Sequence, residues 1–185
     1  DTTDALLAAM HPLAFPMLFI QLVTAGQDTT QTMLSSGLLA LLDHPSQLAL
    51  LREDPSRIPA AIEEMVRWAN PLHYFRRTAT EDTVLGTTKI AAGDAVAMYY
   101  SSCNRDEDVF ADSQAFDITR TPNKHLGFGQ AEHFCVGVHL ARLEGRIFFE
   151  ELLARVRKIE RNGEPKRLRS NLNNSYKSVP VSLRA

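Results

Sequence analysis

One segment of the 185-residue chain concentrates reactive groups: Phe128-Gly129-Gln130-Ala131-Glu132-His133-Phe134-Cys135-Val136-Gly137. Cys135 sits in an apolar, glycine-flanked loop directly ahead of a long amphipathic pattern. The start of a helix offers free N–H groups and the positive end of its dipole, which favour a thiolate. Loop amides bonded to the sulfur would tune what it donates to a metal. Gly137 lets backbone pass close to a flat ligand, and Phe128 and Phe134 are placed to keep water from the sulfur. A thiolate in such a loop is suited to iron. His133, Cys135 and His139, with His125 upstream, also allow a zinc site. Against zinc stand the place of His139 inside the predicted helix and the lack of a second cysteine nearby. The other cysteine, Cys103, reads as a packed thiol, and two cysteines make no disulfide framework.

Three further motifs carry groups that could serve such a centre. Ala25-Gly26-Gln27-Asp28-Thr29-Thr30 lies midway along a long helical pattern. Its glycine costs about 0.8–1 kcal/mol relative to alanine. Thr29 follows Ala25 by four residues, so its hydroxyl can bond the Ala25 carbonyl and loosen the helix. A helix opened there forms a groove for a small ligand such as dioxygen, with Asp28 and Thr29 as a proton path. The plain reading is a polar helix face containing a packing glycine. Glu64-Met65-Val66-Arg67 sets a carboxylate and a guanidinium at i, i+3, where they can pair and hold other segments by charge-assisted bonds. Phe75-Arg76-Arg77-Thr78-Ala79 follows the Pro71 turn and offers a strand-entry arginine that can grip a carboxylate bidentately. Its plain reading is a solvated arginine pair.

The elements that must position these groups are mostly helical. Pro16 can open a helix, and the apolar pattern runs to Leu42, stopping at Asp43-His44-Pro45. Residues 13–25 within it are too few, and too interrupted by Pro16 and Gln21, for a membrane span; they read as a buried core helix. Residues 46–52 form a short helix. Pro59 opens another, with Ile58, Ile62, Met65, Val66 and Ala69 on one face. Residues 83–90 and 95–100 read as two strands around Ala92-Gly93-Asp94, and 101–134 as irregular. Residues 136–156 are the second long helix, with Val136, Leu140, Leu143 and Ile147 on one face. Turns and short strands follow Asn162. The class is mainly α with minor β, one domain over 1–185.

Composition narrows the function. A net charge of −2 and a pI near 6.3 provide no basic excess for nucleic acid. The length suffices for one domain with a real core. There is no low-complexity tract or internal repeat, and no signal peptide is read.

In their order along the chain, the four motifs resemble the cytochrome P-450 family. A-G-Q-D-T-T is similar to the oxygen-groove motif of its long distal helix, and E-M-V-R to its E-x-x-R helix. F-R-R-T-A resembles the segment carrying a haem-propionate arginine, here Arg77. F-G-Q-A-E-H-F-C-V-G resembles its cysteine loop. The resemblance covers residue 13 to the C-terminus. It implies the C-terminal, haem-binding half of that fold, with the N-terminal half absent and the chain a partial domain. In two places the chain departs from the family pattern. Ala131 stands where glycine is usual. Ala115 stands where the third partner of the glutamate–arginine pair often precedes the phenylalanine, so Arg120 or Gln130 is expected to substitute.

The resemblance further implies haem b, with Cys135 as the axial metal ligand and Arg77 and His133 on the propionates. Ala25, Gly26, Phe128, Gly129 and Gly137 would contact the cofactor, and Glu64–Arg67 would be a structural ion pair. Asp28 and Thr29 would be catalytic, relaying protons. Leu72, His73, Tyr74, Phe75 and Tyr176 would line the substrate pocket, with Leu18, Leu22, Asn174 and Ser175 as further candidates. The implied activity is a monooxygenase inserting one oxygen atom of O2 into a C–H bond of an apolar small molecule. His133, where membrane-bound relatives carry arginine, resembles the soluble bacterial type, hence a cytoplasmic location. The run from Val96 to Asp106 resembles bacterial members acting on terpenes and steroids. Electrons would come from a ferredoxin-type donor near Arg142 and Arg146. The alternatives are a haem-binding fragment or degenerate paralogue without turnover and, more remotely, a zinc-binding interaction module.

Overall fold

The computed structural model describes residues 13–185. Helix α1 (Ala14–Asp43) is 30 residues long, about 45 Å at 1.5 Å per residue. Proline in the first turn starts both α2 (Pro45–Glu53) and α3 (Ile58–Ala69), where the missing N–H forfeits no helical bond. Asn70, in the left-handed region at φ 44, ends α3. Strands β1 (Tyr74–Thr78), β2 (Thr83–Leu85), β3 (Thr88–Ile90) and β4 (Ala95–Tyr99) lead into the short α4 (Tyr100–Cys103). A meander of little regular structure follows, then α5 (Val138–Arg155) and strands β5 (Lys158–Arg161), β6 (Lys166–Arg167), β7 (Tyr176–Ser178) and β8 (Val181–Arg184). The strands pair antiparallel in twos: β1 with β4, β2 with β3, β5 with β8, β6 with β7.

This arrangement corrects three expectations. Residues 83–90 are not one strand, because Gly86 turns at φ 60 and folds them into the β2–β3 hairpin. The partner of β4 is β1, in register from Tyr74 opposite Tyr99 to Thr78 opposite Ala95. Residues 13–25 are not core: Phe15, Met17, Leu18, Phe19, Ile20 and Leu22 are exposed, since no described residue covers that half of α1.

The core lies where α1, α3 and α5 meet, around Met33, Leu41, Ile62, Met65 and Phe149, with Phe116 and Ile118 added from the meander. All five residues expected on the apolar face of α3 are buried. On α5 the expected face points outward: Val136 is 88% exposed, and Leu140, Leu143 and Ile147 are also exposed, while Val138, Gly145 and Phe149 face the core. The helix carries two apolar stripes, and period alone does not say which meets the core.

A buried ion pair pins the meander to α3. Both Glu64 and Arg67 side chains are 0% exposed. Arg67 donates through Nε and Nη2 to the Glu64 carboxylate, each at 2.7 Å, and to the carbonyls of Asn104, Ser113 and Ala115 at 2.8–2.9 Å. Glu64 also accepts from the Asp117 amide at 2.9 Å and from Asn123 Nδ2 at 3.0 Å. Arg120 reaches it at 3.3 Å and donates to the carbonyls of Ala111, Asp112 and Ala115. Arg120 therefore supplies a second guanidinium despite Ala115, whereas Gln130 is exposed and has no part in the network. Arg67→Met strips a buried carboxylate of its main partner and is expected to cost about 3–5 kcal/mol. Urea unfolding measures that loss.

Candidate functional site

Cys135 is an irregular residue between a 3-10 turn (Ala131–His133) and the start of α5 at Val138. Its amide donates to the Phe128 carbonyl at 2.8 Å, closing residues 128–135 into a loop, and its carbonyl accepts from the Val138 amide at 3.3 Å. Inside the loop the Phe134 amide bonds the Ala131 carbonyl at 3.0 Å. Gly129 has φ 74, and a Cβ there would lie 3.0 Å from the His133 carbonyl oxygen and 3.7 Å from the Tyr100 hydroxyl. Both the backbone angle and the space demand glycine. The Cys135 thiol is free and half-buried. Its Sγ lies 3.9 Å from where a Cβ on Gly137 would stand, so that glycine keeps the space beside the sulfur open. Phe134 and His133 are exposed, while Phe128 packs between His125 and Arg142. The loop amides expected to bond the sulfur make no such bond among the described residues.

Tyr100, from α4, approaches the same loop, and Arg77 of β1 lies close enough to Tyr100 for its charge to act on it. The Tyr100 amide donates to the His73 carbonyl at 3.1 Å, and its ring tilts against Phe75. Burial pushes the Tyr100 hydroxyl above its ordinary value, and the Arg77 charge opposes that rise. Arg77 donates to the Arg76 carbonyl at 3.0 Å, and no carboxylate pairs with it among the described residues.

On α1, the Thr29 hydroxyl donates to the Ala25 carbonyl at 2.8 Å, and Thr32 repeats the pattern to Asp28 at 2.7 Å. The helix nevertheless runs unbroken through residues 25–30, so the expected local opening does not occur. Side-chain-to-carbonyl bonds here add to the helical ladder without displacing it. Ala25 and Thr29 share one stripe of the helix. Gly26 and Thr30 lie on the adjoining stripe and line a cavity of about 610 Å³ with Leu34, Glu144, Phe148 and Val179. Asn173 joins α1 to the expected pocket wall: its Nδ2 donates to Asp28 Oδ2 at 3.4 Å, and it bridges to Leu72. The His73 amide bonds the Leu172 carbonyl at 2.8 Å, and Asn174 caps the end of α3 through the Ala69 carbonyl at 2.7 Å. Leu72, His73 and the tail turn thus form one wall. Tyr74 pairs with Tyr99, and Tyr176 lies under Arg167. Leu18 and Leu22 lie on the uncovered half of α1.

Behind the cysteine loop, Glu63 of α3 takes Arg142 of α5 bidentately at 2.7 and 2.8 Å, and His125 Nε2 at 3.2 Å. Burial opposes ionisation of Glu63, but the hydrogen bonds and charges of His125 and Arg142 overcome it and hold the carboxyl at about 2. This occupies Arg142, one of the two arginines expected to face an electron donor; Arg146 is held only by exposed Glu150, at 3.7 Å. It also occupies His125. No three His, Cys, Asp or Glu side chains among the described residues group around a possible ion, which removes the zinc reading.

Sequence reasoning missed Glu63, Asn104, Asn123 and Asn173. Asn104 accepts the Leu126 amide at 2.7 Å, donates to Asn70, and offers its carbonyl to Arg67. No periodicity marks these residues; only the doubled carboxylate at 63–64 was a visible signal.

A long helix crossing the core, a buried carboxylate–arginine pair and a cysteine loop ahead of α5 together define a haem-thiolate type of scaffold. The Cytochrome P450 family model matches residues 8–179, and the chain belongs to that family. It is 46% identical over 166 residues to a methyl-branched lipid omega-hydroxylase of Mycobacterium tuberculosis, covering 89% of this chain and 39% of that protein. It is 43% identical to linalool 8-monooxygenase of Pseudomonas putida, covering 87% of this chain and 40% of that one. The solved structure of cytochrome P450-153 from Novosphingobium aromaticivorans superposes with a TM-score of 0.90 at 38% identity, covering 96% and 45%. The chain therefore spans about two fifths of the length of the curated relatives it matches. The family's cofactor is haem b. The donor set here fits it: a free thiol in a loop kept open by glycine, and an arginine that no described carboxylate takes up. No helix among the described residues is long and apolar enough to cross a membrane.

Ala131 stands at φ 55, a left-handed angle that costs a non-glycine residue about 1–2 kcal/mol. Ala131→Gly is expected to raise stability by about 0.5–1 kcal/mol after the entropy glycine adds to the unfolded chain, read as a higher melting temperature. For Glu63, the folded value lies below the ordinary 4.5, so its ionised form stabilises the fold above pH 4.5, and this is lost as pH falls toward about 2. Glu63→Gln should be less stable than wild type at neutral pH, and the two urea midpoints should converge through that acid range.

Proposed function

We propose that this chain is the haem-binding part of a monooxygenase that inserts one atom of dioxygen into a C–H bond of an apolar small molecule of terpene or steroid type. The observation that carries the reading is the free, half-buried Cys135 thiol in a loop closed by its own amide on the Phe128 carbonyl. Cys135 is the iron ligand in this reading. Arg77 and His133 would hold the two propionates, and Phe128, Gly129, Gly137, Ala25 and Gly26 would contact the cofactor. Bound haem b supplies the reductive activation of dioxygen, and a thiolate ligand favours O–O cleavage.

The chain's own groups bind, orient and move protons. The Thr29 hydroxyl donates to the Ala25 carbonyl, which leaves its oxygen lone pairs free to accept a proton donor. Asp28, steadied by Asn173, is the carboxylate that passes protons inward. Leu72, His73, Tyr74, Phe75 and Tyr176, with Asn174 and Ser175, would line the substrate side, where Leu72 and the aromatic rings offer apolar contact. The relatives' names, a branched-lipid hydroxylase and a linalool monooxygenase, support an apolar substrate. A ferredoxin-type donor supplies electrons, and Arg146 is the α5 arginine freer to meet it.

A haem-binding protein without turnover is the second reading, favoured by the uncovered apolar residues of α1 and α5. Haem reconstitution followed by a reduced, CO-treated spectrum is the first test. The thiolate-type band is expected in the wild type and lost in Cys135→Ser; a serine variant that keeps it removes Cys135 as ligand. A product assay with reductant then separates the two readings.

A further inference from the structure

The geometry points to Glu63 and His125 as positioning residues for Cys135, gripping the cysteine loop on both of its sides. This rests on the reading of Cys135 as the iron ligand. The loop leaves the meander through His125–Phe128 and rejoins regular structure at α5. Glu63 touches both arms. On the downstream arm its carboxylate takes Arg142 Nε and Nη2 at 2.7 and 2.8 Å, fixing the second turn of α5 against α3. On the upstream arm it meets His125 Nε2 at 3.2 Å.

The state of His125 follows from its partners. The Gly127 amide reaches His125 Nδ1 at 3.1 Å and can only donate, so Nδ1 carries no proton. The ring proton is then on Nε2 and points to Glu63, a tautomer fixed from both ends. The His125 side chain is 3% exposed, so its ring nitrogens are shielded from water. The backbone between the two arms has no slack. A Cβ on Gly127 would come within 2.4 Å of Val66 Cγ1, so the chain lies directly on α3 there. The Leu126 amide is held by Asn104 Oδ1 at 2.7 Å. Phe128, which follows Gly127, has its ring between His125 and Arg142 and its carbonyl on the Cys135 amide at 2.8 Å. The path from Glu63 to Cys135 is therefore one histidine, its bond from the Gly127 amide, one backbone step to Phe128 and one amide–carbonyl bond. A ligand's outer partners set its orientation and commonly change metal affinity by about 10–100-fold when removed.

The test compares wild type with His125→Ala, His125→Asn and Glu63→Gln. Asparagine can place an oxygen where Nδ1 stood and keep the Gly127 bond but is too short to reach Glu63, whereas alanine keeps neither contact. The first readout is hydrogen exchange at the Cys135 amide, which needs no haem. His125→Ala and Glu63→Gln are expected to speed it by about 10-fold or more through local opening, and His125→Asn to recover only the part carried by the Gly127 bond. The second readout is haem retention and the share of the thiolate-type band in the reduced CO spectrum, expected to fall in the same order. Wild-type exchange and an unchanged band in a folded Glu63→Gln protein would overturn the clamp, even if the alanine variant fails to fold. Faster exchange together with a band that survives Cys135→Ser would instead keep the loop clamp and overturn the ligand reading.

Discussion

The structure depends on a buried pair of opposite charges. Glu64 and Arg67 sit where no water reaches, and several kcal/mol of desolvation per ion is repaid only if every donor and acceptor is matched. The chain meets that demand by wrapping the meander around them. The carbonyls of Asn104, Ser113 and Ala115 converge on Arg67, and the Asp117 amide and Asn123 converge on Glu64. A stretch without regular structure thereby acquires one conformation. Because the meander runs straight on to His125 and the cysteine loop, the place of Cys135 is set in turn. Ala115 contributes no side chain to this, yet its carbonyl is used twice, by Arg67 and by Arg120.

The second constraint is that the long helices are apolar on more than one side. α3 has one buried stripe and one partnered polar edge, and its neighbours satisfy both. α1 and α5 each bury one stripe and leave another open, so the same helices that make the core also carry broad uncovered apolar surface. Surfaces of that kind are built for packing or for ligand. The cysteine loop and the Ala25–Thr30 segment both lie on helices or helix starts that border this surface.

Local signals served well where a residue's neighbours in sequence are also its partners in space. The i, i+3 spacing of Glu64 and Arg67, the four-residue step from Thr29 to Ala25, the buried face of α3 and the proline-started helices are all of this kind. They failed where the partner is distant. The strand entry at Arg77 was legible, but its partner was not, because Tyr-Phe-Arg-Arg-Thr alternates poorly and only tertiary packing sets it against β4. The α5 face was inverted because two stripes satisfy the same period. The helix opening expected at Gly26 did not occur because the hydroxyl bonds add to the ladder there.

The sequence by itself determined the family and the groups on offer: a cysteine in a glycine-flanked loop, an arginine pair after the Pro71 turn, and a threonine and aspartate on a long helix. Those are properties of residue type and short spacing. Tertiary structure decided which groups hold that chemistry in place. Glu63 lies 62 positions from His125 and 79 from Arg142, and Asp28 lies 145 from Asn173. Contacts between residues that far apart leave no period or motif in the chain. They exist only once α3, α5 and the tail turn have packed, because charge and hydrogen-bond satisfaction are settled by which surfaces meet.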